Sequence, residues 1–161
     1  MAILIFSNSL DTHADVVEAR LRGMGVETIR FNTDRFITDQ IELVFRNSGD
    51  EDGINLKGRW YPFAEIVSVL YRRPRHPEVK IEESYQKKFA ETETEEFIRQ
   101  IHLYLKEAFW VSKYEALEAA RRKLPQLKVA QACGFKIPKT LATNSPKEVR
   151  LFFSECERII Y

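Results

Sequence analysis

The chain has 161 residues, is 44% hydrophobic and 30% charged, and carries a formal net charge of +1. That length and balance suit a globular protein with a real core: one ordinary domain and part of a second. Near-neutrality gives no electrostatic signal for nucleic acid or an anionic membrane; no apolar run is long enough to span a bilayer, and "MAILIF" lacks the charged start and cleavage site of a signal peptide. With two isolated cysteines, Cys133 and Cys156, in helical patterns, the expectation is a cytoplasmic protein with no nucleic-acid or membrane partner.

Residues 2–6 are short and continuously apolar, as expected of a central parallel strand covered on both faces. The polar loop "SNSLDT" follows. Thr12 with Asp15 has capping-box spacing, and Ala14, Val17, Leu21 and Met24 then step along one helical face until Gly23 and Gly25 stop it. Residues 26–31 make a second strand, so the unit is β–α–β with a parallel, right-handed crossover. "IELVFR" (41–46) and "INLKGR" (54–59) alternate apolar and polar residues around the turn "NSGDEDG", which predicts a hairpin with one wet face. Residues 66–71 form a further core strand, and the two prolines of "RRPRHP" then forbid helix and favour extended backbone.

Residues 82–109 read as one long or broken helix with Phe97, Ile98, Ile101, Leu105, Ala108 and Phe109 as its apolar stripe and "ETETEE" (91–96) as a solvated stretch. "WVS" (110–112) is a short strand. Helices are expected over 114–124 and 126–132, the second closed by Gly134. "KTLAT" (139–143) reads as a strand, "NSP" caps a helix from Pro146, and that helix leads to a last strand, "RIIY" (158–161). The fold class is therefore α/β, with a mainly parallel sheet plus a hairpin. Residues 1–112 form one unit, and 113–161 begin a second whose last strand has no successor. An unpaired last strand predicts dimerisation through its edge.

The loop after the first strand has no glycine, so the dinucleotide fingerprint is missing, and so are a phosphate loop and a nucleophile elbow. His13, His76 and His102 have no metal-ligand spacing. What stands out is "YRRPRHP" (71–77), which places Arg72, Arg73, Arg75 and His76 just past the carboxyl end of an apolar strand, where α/β sheets bind ligands. Arginine forks suit carboxylates and phosphates. The same cluster also fits arginines paired with the acidic 82–96 segment or facing water. Asn32, Thr33 and Asp34 end the second strand on the same edge, where they shape a cleft or simply make an Asx turn.

A second stretch, "AARRKLPQLKVAQACGFKIPKTLATNSP" (119–146), resembles the segment of ATP-grasp ligases that joins the pre-ATP-grasp domain to the ATP-binding part. With "HAD" (13–15), "RFNTD" (30–34), "YRRP" (71–74) and "TNSP" (143–146) in order, nearly the whole chain resembles the maturases of graspetides, the microviridin-type ribosomal peptides. The resemblance implies a Rossmann-like pre-ATP-grasp domain followed by the start of an ATP-grasp domain. It implies that Lys123 contacts the nucleotide phosphates; on residues alone Lys123 also fits an ordinary surface lysine. In that family the second nucleotide lysine, the phosphate flap and the metal ligands lie beyond a strand that "RIIY" matches. The parent is then a ligase using ATP and Mg²⁺ to join side chains of a precursor peptide, recognised through leader and core, by ester or amide bonds. The 161 residues alone are expected to be inactive and to bind neither cofactor. Arg72 and Arg73, with Asn32 and Asp34, are expected to face the substrate. Two other readings stay open: an ATP-grasp ligase adding amino acids to a protein terminus, which shares the lysine, "QL", glycine and "IPKT", and a non-catalytic peptide- or protein-binding α/β module.

Overall fold

The computed structural model describes every residue except 40, 48–50, 157 and 161. The chain divides into two compact units, Met1–Glu118 and Ala119–Tyr161. The first unit is built on a four-stranded, all-parallel sheet in the order β2-β1-β6-β7, from Thr28–Asn32, Ala2–Ser7, Ile66–Tyr71 and Phe109–Val111. A second, antiparallel sheet joins β3 (Ile41–Val44), β4 (Gly53–Leu56) and β5 (Arg59–Pro62) in sequence order. Leu4, Phe6, Ile29, Phe31 and Val69 of the parallel sheet meet Ile41, Leu43 and Ile54 of the small sheet in one buried cluster. Ile98, from helix α2 (Ser84–Arg99), and Ile101, from the single turn α3 (Ile101–Tyr104), join it together with Leu105. Among the described residues no helix is long and apolar enough to cross a membrane.

β5 was not legible in the alternation of residues 54–59. The chain reverses at Lys57 and Gly58, with φ of 53° and 82°, so that Leu56 faces Arg59 across a two-residue turn. Two consecutive positive φ values define the hairpin turn whose twist matches the flanking strands, and glycine takes the second at no steric cost. The expected β3–β4 hairpin is present; the tip of its turn, 48–50, lies outside the described residues.

Helix α1 (Thr12–Gly23) packs on β1 and β2. Its cap is Asp11, one residue ahead of the expected Thr12: the Asp11 carboxylate accepts from the amides of His13 and Ala14 at 3.2 and 3.3 Å. Of the predicted apolar face only Ala14 is buried, with Val17 and Met24 exposed. At the other end, the amides of Gly25 and Val26 close back on the carbonyls of Arg22 and Leu21.

In the second unit, α4 (Tyr114–Ala120, which starts in the first unit) is followed by α5 (Lys123–Ala132) and α6 (Pro146–Glu155). α5 begins three residues before the expected start because Pro125 falls in its first turn, where a missing N–H has no helical partner to lose. Ser145 caps α6 as its sequence predicts, accepting from the Glu148 amide at 3.4 Å. Of the strands expected at 139–143 and 158–161, residues 139–143 and 158–160 are irregular, and Tyr161 lies outside the described residues. Strand-forming residues make a strand only where a neighbour completes the ladder, and among the described residues no strand lies in Ala119–Tyr161 to do so. The edge expected to invite dimerisation is therefore not seen as a strand.

Candidate functional site at the carboxyl edge of the parallel sheet

Because β1, β2 and β6 run parallel, their carboxyl ends share one edge, the usual ligand side of such sheets. Each strand finishes with an aromatic residue followed by a polar one: Phe6 then Ser7, Phe31 then Asn32, Tyr71 then Arg72. The register sets Phe6 against both Phe31 and Tyr71, and the rings stack with centroids 4.9 and 5.2 Å apart. Phe36 extends the row beyond Phe31 at 5.8 Å. An apolar floor thus underlies a polar rim, and the Arg72 amide carries the ladder one step further by donating to the Phe6 carbonyl at 2.8 Å.

Past Tyr71 the chain crosses this edge as a strap without regular secondary structure. Asn8, which is buried, donates through Nδ2 to the Arg73 carbonyl at 2.6 Å. Thr33 then grips Arg75 from both sides: its hydroxyl donates to the Arg75 carbonyl at 2.7 Å and accepts from the Arg75 amide at 2.9 Å. The Glu78 amide donates to the Asp34 carbonyl at 3.0 Å. The strap is thereby tied to the loop after β1 and to the turn after β2. Its prolines, Pro74 and Pro77, exclude helix and withhold amides that would otherwise need partners. Arg73 has a φ of 46°, a left-handed conformation uncommon for a residue with a side chain.

The charged side chains fall into two sets. The carboxylate of Asp34, 6% exposed, accepts from the Ser9 amide at 2.9 Å and from the Ser9 hydroxyl. Asn32 accepts from Arg30 Nε at 2.8 Å; Arg30 Nη2 also reaches the Asn8 carbonyl at 2.9 Å and Asp15 at 3.2 Å. These groups hold loops to one another. The second set is the strap arginines. Arg72 Nε lies 3.2 Å and 3.0 Å from the two oxygens of Asp11, whose Oδ2 also accepts from the Ser7 hydroxyl at 2.8 Å. Among the described residues the terminal nitrogens of Arg72 have no hydrogen-bond partner, and Arg73 and Arg75 are exposed and pair with no carboxylate. The acidic 82–96 segment meets the strap at His76 and not at its arginines: Glu95 takes His76 at 2.7 Å and also Arg99. Burial pushes the Asp11 carboxyl up, but the Ser7 hydroxyl, the Ala14 amide and Arg72 together outweigh it and hold it below the ordinary value.

A comparison with protein families matches residues 2–118 to the family described as MvdD pre-ATP grasp domain. The chain belongs to that family. A comparison with curated proteins gives no match. Among solved structures this pre-ATP-grasp chain is similar to the macrocyclase MdnB from Microcystis aeruginosa MRC, at 27% identity and a TM-score of 0.81 over 96% of this chain and 51% of that one. It is also similar to the macrocyclase MdnC from the same organism, bound with precursor peptide MdnA, at 28% identity and a TM-score of 0.83 over 98% and 52%. A RiPP-associated ATP-grasp ligase of Chryseobacterium gregarium, in complex with ADP and a leader and core peptide, matches at 28% identity and a TM-score of 0.70 over 96% and 48%. The chain spans about half the length of each.

Of the residues singled out in the sequence, Asn32, Asp34, Arg72 and Arg73 come together at this edge. Lys123 is the first residue of α5 in the other unit, where it is exposed. Among the described residues no three His, Cys, Asp or Glu side chains converge to hold a metal. Ser7, Asn8 and Asp11 were missed as members of the site. The one signal for Asp11 was that aspartate is a strong helix cap directly before "THAD", and the Thr12–Asp15 spacing masked it.

Proposed function

We propose that this chain is the amino-terminal portion of an ATP-dependent ligase that closes side-chain ester or amide rings in a ribosomally made precursor peptide. Residues 119–161 are then the start of its ATP-grasp domain. The observation that carries the reading at the site is the strap: among the described residues Arg73 and Arg75 are exposed and pair with no carboxylate, and Arg72, held at Nε by Asp11, has terminal nitrogens with no hydrogen-bond partner. Arg72 and Arg73 bind a carboxylate of the precursor, since a guanidinium fork matches two carboxylate oxygens and later the phosphoryl oxygens of the activated acid. Asn32 and Asp34 keep the neighbouring loop in place through Arg30 and Ser9. ATP, when bound, supplies the phosphoryl group that makes the carboxyl an acyl phosphate; a hydroxyl or amine side chain then displaces phosphate. Lys123 offsets charge on the nucleotide phosphates as a point cation.

The test is turnover of the full-length gene product with ATP, Mg²⁺ and a candidate precursor, followed by mass spectrometry for the loss of one water per ring. Arg72→Gln is expected to lower kcat/KM by about a hundredfold, and Lys123→Ala to raise the KM for ATP about tenfold. Residues 1–161 alone are expected to give no turnover. Wild-type nucleotide affinity in Lys123→Ala would defeat the assignment of that lysine.

A further inference from the structure

We propose that Asp11 is a positioning residue for Arg72, fixing the guanidinium through Nε so that its terminal nitrogens are presented to a substrate carboxylate. The inference rests on the reading of Arg72 as a carboxylate anchor. A free arginine side chain loses considerable rotamer entropy when it closes on a ligand, and one already held in its bound geometry loses less. Asp11 is suited to this holding. Its side chain is 3% exposed and is anchored by the Ser7 hydroxyl and the amides of His13 and Ala14. Both of its oxygens lie within 3.2 Å of Arg72 Nε. A grip at Nε alone leaves the outer edge of the guanidinium, Nη1 and Nη2, for an end-on pair of hydrogen bonds. The carboxylate also fills the amino end of α1, so an anion entering this edge is directed to the arginine and not to the helix terminus.

The charge and the cap can be separated, because asparagine caps a helix as well as aspartate does but carries no charge. The 161-residue chain is titrated with N-acetyl-L-glutamate α-amide, a lone side-chain carboxylate, and binding is followed by NMR at the strap amides and at Arg72 Nε–H. Asp11→Asn is expected to raise the Kd about tenfold, to move the Arg72 Nε–H signal to that of a solvated guanidinium, and to cause no further loss in an Arg72→Gln background. No binding by the wild type, or equal binding by Arg72→Gln, sinks the anchor reading and the inference with it. Weak binding by Arg72→Gln with wild-type binding by Asp11→Asn leaves the anchor standing and overturns the role of Asp11. A loss that adds fully to that of Arg72→Gln means that the Asp11 charge acts other than through Arg72 and also overturns it. Should Asp11→Asn not fold, Ser7→Ala, which removes one donor from Asp11 and leaves the cap, decides in the same way: a smaller loss that vanishes without Arg72 supports the inference, and unchanged binding refutes it.

Discussion

Asp11 carries three tasks in one side chain: it caps α1, takes the Ser7 hydroxyl and holds Arg72. Its carboxyl is held below the ordinary value of 3.8, so in acid the unfolded chain binds the proton more readily than the folded one. The resulting stability is present above 3.8 and is lost as pH falls through the lower folded value. Chemical denaturation between about pH 2 and pH 5 is therefore expected to show a steep acid limb that Asp11→Asn flattens. Asp11→Ala removes the cap and leaves Ser7 and Arg72 without their partner, an expected loss of roughly 2–4 kcal/mol in the same assay at neutral pH. Arg73 makes the opposite case. Its left-handed backbone stores strain that glycine relieves, so Arg73→Gly is expected to stabilise the fold by about 1 kcal/mol while weakening carboxylate binding. A variant that gains stability and keeps full binding would remove Arg73 from the site.

At the scale of elements, the strap depends on a single hydroxyl for much of its placement. Thr33→Val keeps the shape but removes both bonds to Arg75, at an expected cost of about 1–3 kcal/mol. Amide exchange at Arg75 is expected to accelerate by more than this global loss explains; exchange rising only in step with global stability would mean that the strap is held by other contacts. The small sheet has its own sensitive point at Gly53, where a Cβ would fall on the Tyr61 carbonyl and 2.8 Å from Trp60 Cζ2. Backbone cannot step aside cheaply, so Gly53→Ala is expected to lower the melting temperature by several degrees. The absence of helix in the strap was legible in advance because proline forbids it locally, and β1 and β6 were legible because buried parallel strands are near-continuous apolar runs. The turn at Lys57 was not, since Lys-Gly is a weak form of the Asn-Gly signal and the alternation ran straight through it. Asn8 was invisible for a different reason, and Thr33, though marked at this edge, gave no sign of its bonds to Arg75: the partners are 65 and 42 residues away, and no local pattern reports such a bond. At 139–143 and 158–160 the expected strands are absent because propensity describes a residue, whereas a ladder needs two strands.

Across the whole molecule, burial is distributed unequally. Every residue of the hydrophobic cluster lies in Met1–Glu118, whereas no described residue of Ala119–Tyr161 is buried. Since stability follows the apolar surface removed from water, the first unit is expected to account for nearly all of the cooperative unfolding transition. A polypeptide of residues 1–118 is accordingly expected to unfold in one step, with a denaturant midpoint close to that of the 161-residue chain. Its m-value is expected to be nearly as large, because m scales with the surface exposed on unfolding and residues 119–161 bury little. The carboxylate probe adds a functional arm. Asp11, Ser7 and the strap arginines all belong to the first unit, so residues 1–118 are expected to bind N-acetyl-L-glutamate α-amide as the longer chain does. A fall in m-value by more than about a quarter, or loss of the transition, would show that residues 119–161 stabilise the sheet through burial of their own. Unchanged unfolding with lost probe binding would instead move part of the carboxylate site into the second unit.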